Sequence, residues 1–452
     1  MPQKKRPNIV FISFDDCRAD HLGFMGYQKK TSPFLDSLAK QSVRFTKAFA
    51  TGSGSPQSFV GALTSTYPLD YGGFSFIDKP RVLISEIFQR AGYQTIAVHS
   101  APYMSGYFGY DQGWDNFHYL SHFNSGEAGI HKETFQAKIL KKISSTKRWL
   151  KKHAAFITPL FTVIEKSLLL VRKIAKDATN YTPPFLMGNE INKEIKKILP
   201  SNPNNPLFLW VHYMDIHEPL GFFWRANHGL IRKLKFHLAD ILLFLFGPYS
   251  RVNRLFKNLF MELYDASLQS VDGHIGELFS YLQEKNILSA DDALFIWSDH
   301  GEEFFEKGVF GHEQRPFNVN LNIPLIIWHP QSLQPKTDEE PVSLIDISPT
   351  ALDLAGIVKP AAYKGLSLFD ETQRAVVAEQ VDCEGDLTNL KFLGAAIIDQ
   401  GYKYIDFRGE RFLFALGDKE EKNNLCEEKK EIVEALGKKL GEYIPKSFKY
   451  NG

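Results

Sequence analysis

The sequence predicts an α/β fold: a mostly parallel central sheet flanked by helices, with a small C-terminal antiparallel-sheet subdomain. Three observations predict it. Short apolar runs alternate with helical patterns through most of the chain, the rhythm of a sheet covered on both faces. Several runs break abruptly into acid, histidine, serine or glycine, and open α/β sheets gather ligands at that edge. After about residue 370 the runs become short and closely spaced, which suits antiparallel pairing.

In chain order, the strand candidates are Ile9 to Phe14, Thr95 to His99, Pro206 to His212, Leu294 to Trp297 and Pro324 to Trp328. Helical patterns cover Thr31 to Gln41, Gln57 to Ser65, Leu83 to Ala91, Leu259 to Gln283 and Ile347 to Ala355. The C-terminal runs are Ala375 to Ala378, Ala395 to Ile398, Tyr402 to Phe407 and Arg411 to Leu416, followed by a charged helix from Glu427 to Tyr443. The expected division is an α/β part, 1–370, and an α+β part, 371–452.

The bulk numbers narrow the function classes. A chain of 452 residues with 44% hydrophobic and 23% charged residues can bury a large core. A net charge of +1 argues against nucleic acid as a partner. Three cysteines (Cys17, Cys383, Cys426) make neither a disulfide framework nor a zinc-ribbon pattern. The polar residues 1–7 lead directly into the first strand with no leader-like processing motif, and no apolar window reaches the ~20 residues a membrane span needs. A cytoplasmic location is expected. Nothing in the sequence sets an oligomeric state.

Two stretches depart from the rhythm, about 131–180 and 225–258. Between His131 and Lys176 stand twelve Lys or Arg against two acids, Glu133 and Glu165, with apolar residues recurring between them. The second stretch carries Ile241-Leu242-Leu243-Phe244-Leu245-Phe246 flanked by Arg232, Lys233, Lys235, Arg251 and Arg254. The plainer reading is basic helices capping the site edge, their lysines solvated. The sharper one is peripheral contact with an anionic membrane surface or a lipid-like substrate.

The polar breaks carry the chemistry. Asp15 and Asp16 follow the first strand, and adjacent carboxylates there repel unless a cation or proton separates them. Asp299-His300-Gly301 follows Ala293 to Trp297; alone it also reads as a strand-to-loop turn. Carboxylates with one imidazole suit a divalent metal ion, Ca²⁺, Mg²⁺, Mn²⁺ or Zn²⁺. Ser55-Pro56 opens a helical pattern, where Ser is a good N-cap and Pro a good first residue. The alternative use of Ser55 is as a hydroxyl nucleophile beside a metal, in the positive field of a helix start. His217, before Glu218-Pro219, falls in a loop placed to contact an anion or protonate a leaving group. His312 is another loop histidine, whereas His212 falls inside a strand.

These motifs, in this order, resemble the sulfatase family of the alkaline-phosphatase-like superfamily over nearly the whole chain. Asp15 to Leu22 resembles its first metal segment. Leu63-Thr64-Ser65-Thr66-Tyr67-Pro68 is similar to the helix behind its nucleophile, and Ser298 to Glu302 to its second metal segment. The resemblance implies Asp15, Asp16, Asp299 and His300 as metal ligands, Ser55 at the nucleophile position, and His217 against the substrate anion. It also implies an alkaline-phosphatase-like fold.

The departures matter equally. Sulfatases carry Cys/Ser-x-Pro-x-Arg matured to formylglycine; here Ser55-Pro56-Gln57-Ser58-Phe59 displaces the proline and puts Phe59 in place of arginine. Formylglycine at Ser55 is therefore not expected, and an unmodified serine is the simpler nucleophile. Ser100 and Pro102 stand where Lys-x-His is common, and Gly311-His312 where a lysine often contacts sulfate. His300 replaces a common asparagine, a pairing more typical of phosphate and phosphonate relatives.

The sequence thus predicts a metal-dependent hydrolase of sulfate esters with Ser55, His217 and His312 as catalytic residues. Its substrate would be a sulfated or phosphorylated small molecule, glycan or lipid headgroup. The alternatives are a phosphodiesterase, phosphomonoesterase or phosphoglycerol-type transferase with the same geometry, or a non-catalytic anion binder. Asp215, His217 and His312 are a candidate second metal set.

Overall fold

The computed structural model describes residues 6–121 apart from 79, 185–200, 205–217, 235, 238, 239, 242, and 251–448 apart from 313, 371, 373 and 383–389. The first basic stretch, 131–180, lies outside the described residues, and the second is described from 251 onward and at isolated positions before it.

The leading apolar run forms β1 (Ile9–Phe14), buried at every position. Its alternating side chains feed two cores. Ile9 and Phe11 join one apolar cluster, and Val10, Ile12 and Phe14 the other. This is why the run is apolar at every position but Ser13 rather than alternating: both faces of the sheet are covered. One face carries helices α2 (Ser55–Thr64), α3 (Ile84–Arg90) and Ile347–Leu354. The opposite face carries α1 (Pro33–Ala39), Gly188–Ile198 and the long helix Lys257–Glu284.

The sheet order is β10-β2-β9-β6-β1-β5-β3-β4, with β11 pairing β2. Here β2 is Val43–Phe49, β3 Gln94–His99, β4 Asn116–Tyr119, β5 Leu207–Tyr213, β6 Ala293–Ser298, β9 Asn322–Trp328, β10 Lys336–Asp338 and β11 Val342–Ser343. Strand β1 is parallel to both neighbours, with Phe14 level with Tyr213 and with Ser298. That register brings the residues after three strands to one line at the carboxyl edge. Strand β9 runs antiparallel to β2 and β6.

The C-terminal part is an antiparallel meander, β12 (Val376–Asp382), β13 (Lys391–Asp399), β14 (Tyr402–Phe407) and β15 (Glu410–Ala415), covered by the helix Lys430–Tyr443. Its first strand reaches back to the loop before α2. The Glu379 backbone N–H donates to the Thr51 carbonyl at 2.8 Å, and Ser53 Oγ donates to Gln380 Oε1 at 2.6 Å. Among the described residues no helix is long and apolar enough to cross a membrane.

Glu379 is fully buried and accepts from the Leu69 N–H, and its other oxygen has no hydrogen-bond partner. Burial pushes its carboxyl up to about 8. A raised carboxyl stabilises the fold fully below its unfolded value and loses that contribution as pH rises through about 8. Glu379→Gln is expected to flatten the decline of thermal stability between pH 5 and 9, read by melts of both proteins across that range.

Candidate active site

Ser55 is the first residue of α2 rather than its cap. Gly54 takes the cap position with extended backbone (φ −146°, ψ 148°), and Pro56 sits in the first turn, where its missing N–H costs nothing. The Ser55 side chain is therefore not in the capping position. Its hydroxyl donates instead to Asp15 Oδ1 at 3.3 Å and lies 3.2 Å from His300 Nε2. The hydroxyl thus faces the acidic cluster.

Asp15 extends directly from β1, its N–H bonded to the Tyr213 carbonyl. Asp16 has a left-handed backbone, φ 54°, a costly conformation for a residue with a Cβ. With it, successive carboxylates both face His300 instead of alternating. His300 Nε2 lies 3.6 Å from Asp15 Oδ1 and 3.6 Å from Asp299 Oδ2, while Nδ1 lies 3.0 Å from Asp16 Oδ1 and 3.0 Å from the Gly301 carbonyl. The four predicted metal residues therefore meet, but on two edges of one imidazole.

His217 and His312 arrive from two loops. His217 Nε2 is 3.8 Å from Asp15 Oδ2, and His312 Nδ1 is 3.3 Å from Asp16 Oδ1. Both histidines are partly open, at 28% and 29% exposure, whereas His300 is fully buried. They form the accessible side of the group. His212 lies behind it, buried against Ser13 Oγ at 3.0 Å, and burial lowers its pKa to about 4.

The electrostatics is that of carboxylates crowded together out of water. Burial and then the charges of Asp299 and Asp16 hold Asp15 well above the usual carboxylate range. Burial would raise Asp16 too, but His312 and His300 outweigh it and hold it low. Burial works against a charged His300, yet the surrounding Asp299, Asp16 and Asp15 raise it. Asp15 Oδ2, Asp16 Oδ2 and Asp299 Oδ2 are buried with no hydrogen-bond partner. Leaving such atoms dry and unpaired is expensive. Oxygen donors with one imidazole match a divalent ion, so the residues present fit the metal the sequence implies.

Two expectations change. Asp215 does not join His217 and His312: its carboxylate accepts from the Gly188 N–H at 3.1 and 2.9 Å and pairs with His274 at 3.0 Å. The second metal set proposed from Asp215, His217 and His312 is therefore not assembled, because Asp215 is spent holding the start of the Gly188–Ile198 helix. Conversely, Glu302 belongs to the site. It is buried, and its Oε2 lies 3.3 Å from His312 Nδ1. Its position two residues after His300 was the available signal.

Among the described residues, the site's positive groups are histidines. Phe59, at the position of the family's arginine, packs edge-on to His212 in the core (ring centroids 4.8 Å apart). Arg18 is committed to Asp20 and Glu306. Ser100 Oγ donates to the Leu186 carbonyl at 3.2 Å.

Gly301 explains the glycine after Asp299-His300. A Cβ there would lie 2.1 Å from the Val319 carbonyl oxygen, a backbone atom. Gly301→Ala is expected to destabilise the protein by about 2–3 kcal/mol or displace the ligand strand end, measured by denaturant unfolding and by loss of divalent-ion affinity.

Comparison with known proteins identifies the family. The family model described as Sulfatase matches residues 7–357. An arylsulfatase of Clostridium perfringens is 24% identical over 477 aligned residues, covering 96% of this chain and 94% of its own. Human arylsulfatase K is 22% identical over 380, covering 81% of this chain and 66% of its own, so this chain spans about two thirds of that relative. Among solved structures, the phosphonate monoester hydrolase of Agrobacterium radiobacter has a TM-score of 0.67 at 19% identity, covering 97% of this chain and 95% of that one. A protein solved with its substrate D-glucosamine-2-N,6-O-disulfate has a TM-score of 0.67 at 18% identity, covering 97% of each chain. These structures share the fold. With the family model spanning most of its length, the chain belongs to the sulfatase family of hydrolases.

Proposed function

We propose that this protein hydrolyses sulfate esters through an unmodified Ser55. The observation that carries the reading is the placement of Ser55 Oγ, 3.3 Å from Asp15 Oδ1 and 3.2 Å from His300 Nε2, at the start of a helix. Asp15, Asp299 and His300, with Asp16 bordering them, would hold one divalent ion. When bound, it supplies Lewis acidity toward the ester's oxygens and lowers the serine pKa.

The chain's own residues do the rest. With its proton released to solvent, Ser55 Oγ attacks sulfur as the alkoxide, and the bond from sulfur to the ester oxygen breaks. His217, on the accessible side, gives the departing alkoxide a proton, with His312 as second candidate. Water then attacks the sulfated serine, the same histidine takes its proton, and inorganic sulfate leaves. The helix start favours negative charge at Ser55 throughout. The glucosamine disulfate held by a structural neighbour makes a sulfated sugar the first substrate to try.

His300, in place of asparagine, favours a second reading in which the transferred group is phosphoryl. Purified protein assayed with an aryl sulfate, a phosphate monoester and a phosphodiester, with and without Mn²⁺, separates the two. Mn²⁺-dependent turnover of the aryl sulfate is expected; turnover of phosphoesters alone would overturn the sulfate assignment.

A further inference from the structure

We propose that Gln57 is a positioning residue. Its carboxamide bridges the turn that carries Ser55 and the loop that carries His312, and so fixes where the serine stands relative to that loop. The proposal rests on Ser55 being the nucleophile. Three observations carry it.

First, the Gln57 side chain is laid along the turn before Ser55. Gln57 lies in the first turn of α2 and is 1% exposed. A Cβ added at Gly52 would lie 2.7 Å from Gln57 Cβ, and one added at Gly54 would lie 2.7 Å from Gln57 Oε1. Neither glycine has a positive φ. Both therefore supply space rather than backbone freedom, and Gln57 fills that space. The turn is tied to the helix as well: Thr51 Oγ1 donates to the Gln57 carbonyl at 2.8 Å, and Ser58 Oγ to the Gly52 carbonyl at 2.9 Å.

Second, the carboxamide reaches two other parts of the chain. Gln57 Nε2 donates to Gln314 Oε1 at 2.7 Å and to the Val381 carbonyl at 2.8 Å. Gln314 stands two residues beyond His312. Val381 follows Gln380 in β12, and Gln380 Oε1 accepts from Ser53 Oγ at 2.6 Å. One amide thus joins the nucleophile turn, the His312 loop and the first strand of the C-terminal part.

Third, this arrangement has a cost that packing alone does not require. Gln57 Oε1 is buried with no hydrogen-bond partner, and such an atom loses its hydration without replacement. Leucine would fill a similar volume with no polar atom to satisfy. What the amide adds is a fixed geometry between two loops of the site, where a displacement of about 1 Å can cost on the order of 10²-fold in rate.

The test is a double-mutant cycle on the full chain supplied with Mn²⁺, read by steady-state kinetics on an aryl sulfate. Gln57→Leu and Gln314→Ala should each lower kcat by on the order of 10- to 10²-fold, with KM changed by no more than about twofold. The double variant should lose no more than the worse single variant, because both substitutions break one bridge. Amide hydrogen exchange in the peptide 309–316 should quicken in Gln57→Leu, a readout that needs no turnover. A kcat within about twofold of wild type in either single variant overturns the proposal, as do losses that multiply in the double variant or fall wholly on KM. Gln314 is partly exposed, so Gln314→Ala decides the matter where Gln57→Leu does not fold. Ser55→Ala, measured beside them, separates the two claims. Activity lost there and kept in Gln57→Leu overturns the bridge alone, whereas activity kept in Ser55→Ala overturns the serine reading and the bridge with it.

Discussion

Ser55→Ala is expected to lower kcat/KM for an aryl sulfate by on the order of 10³-fold or more, with little change in folding or in bound metal. The size follows from what the hydroxyl does. Removing a nucleophile leaves only orientation and electrostatic stabilisation, which accelerate attack by water far less well. The selectivity of the effect follows from the structure: Ser55 is not the cap of its helix, so truncating it takes away its contacts to Asp15 and His300. Gly54, which holds the cap position, and Pro56 remain. Steady-state kinetics, a thermal melt and a metal count on the same preparation check all three parts. Unchanged turnover would remove Ser55 from the mechanism.

Metal removal is expected to have the largest effect on stability, with a sign set by pH. In the metal-free protein Asp15 and Glu302 are raised well above ordinary carboxylates, each first by burial and then by neighbouring carboxylates. His300 is raised above an ordinary imidazole: burial opposes this, and Asp299, Asp16 and Asp15 overcome it. All three groups bind protons more tightly folded than unfolded. Their contribution is complete below the unfolded pKa values and is lost as pH rises through the folded ones. Asp16 is shifted the other way, and its contribution is lost only as pH falls through its lowered value. Chelator-treated protein should therefore melt at lower temperature at pH 8 than at pH 5.

Mn²⁺ should reverse this, because the ion replaces the missing protons and binds better as they leave. At a hundredfold excess over its Kd it adds about 2.7 kcal/mol. Asp15→Asn should raise the melting temperature of the metal-free protein at pH 8 and reduce the increment from Mn²⁺. Melts at pH 5 and 8, with chelator and with Mn²⁺, measure every part. An absence of any Mn²⁺ effect at pH 8 would contradict the assignment of these residues as ligands.

The sheet was legible because its strands are buried on both faces, and runs such as 9–12 and 293–297 are apolar without interruption. The same property hid direction. An unbroken apolar run carries no mark of polarity, so nothing in Asn322–Trp328 shows that it runs antiparallel to its neighbours. The strand ends that carry the acidic cluster were legible because acids and histidine at the end of an apolar run have few structural uses. Asp215 and Glu302 show where that logic runs out. Both are buried acids near the edge, and what separates them is their partners. Asp215 meets His274, 59 residues away, and Glu302 meets His312 across a loop. Ser55 carried an ambiguity of a single residue. A serine before proline reads equally as cap or as first helical residue, and only the backbone of Gly54 distinguishes them.

The central claim is that an unmodified Ser55 takes up the transferred group. The most direct measurement is the mass of the peptide containing Ser55, from protein at rest and from protein quenched in acid during turnover of an aryl sulfate. The account predicts the unmodified serine mass at rest, and a fraction of the same peptide heavier by one sulfuryl group, localised to Ser55, during turnover. A resting peptide lighter by two hydrogens would mean formylglycine, and a sulfuryl group found on another residue would place the nucleophile elsewhere; either result would contradict it.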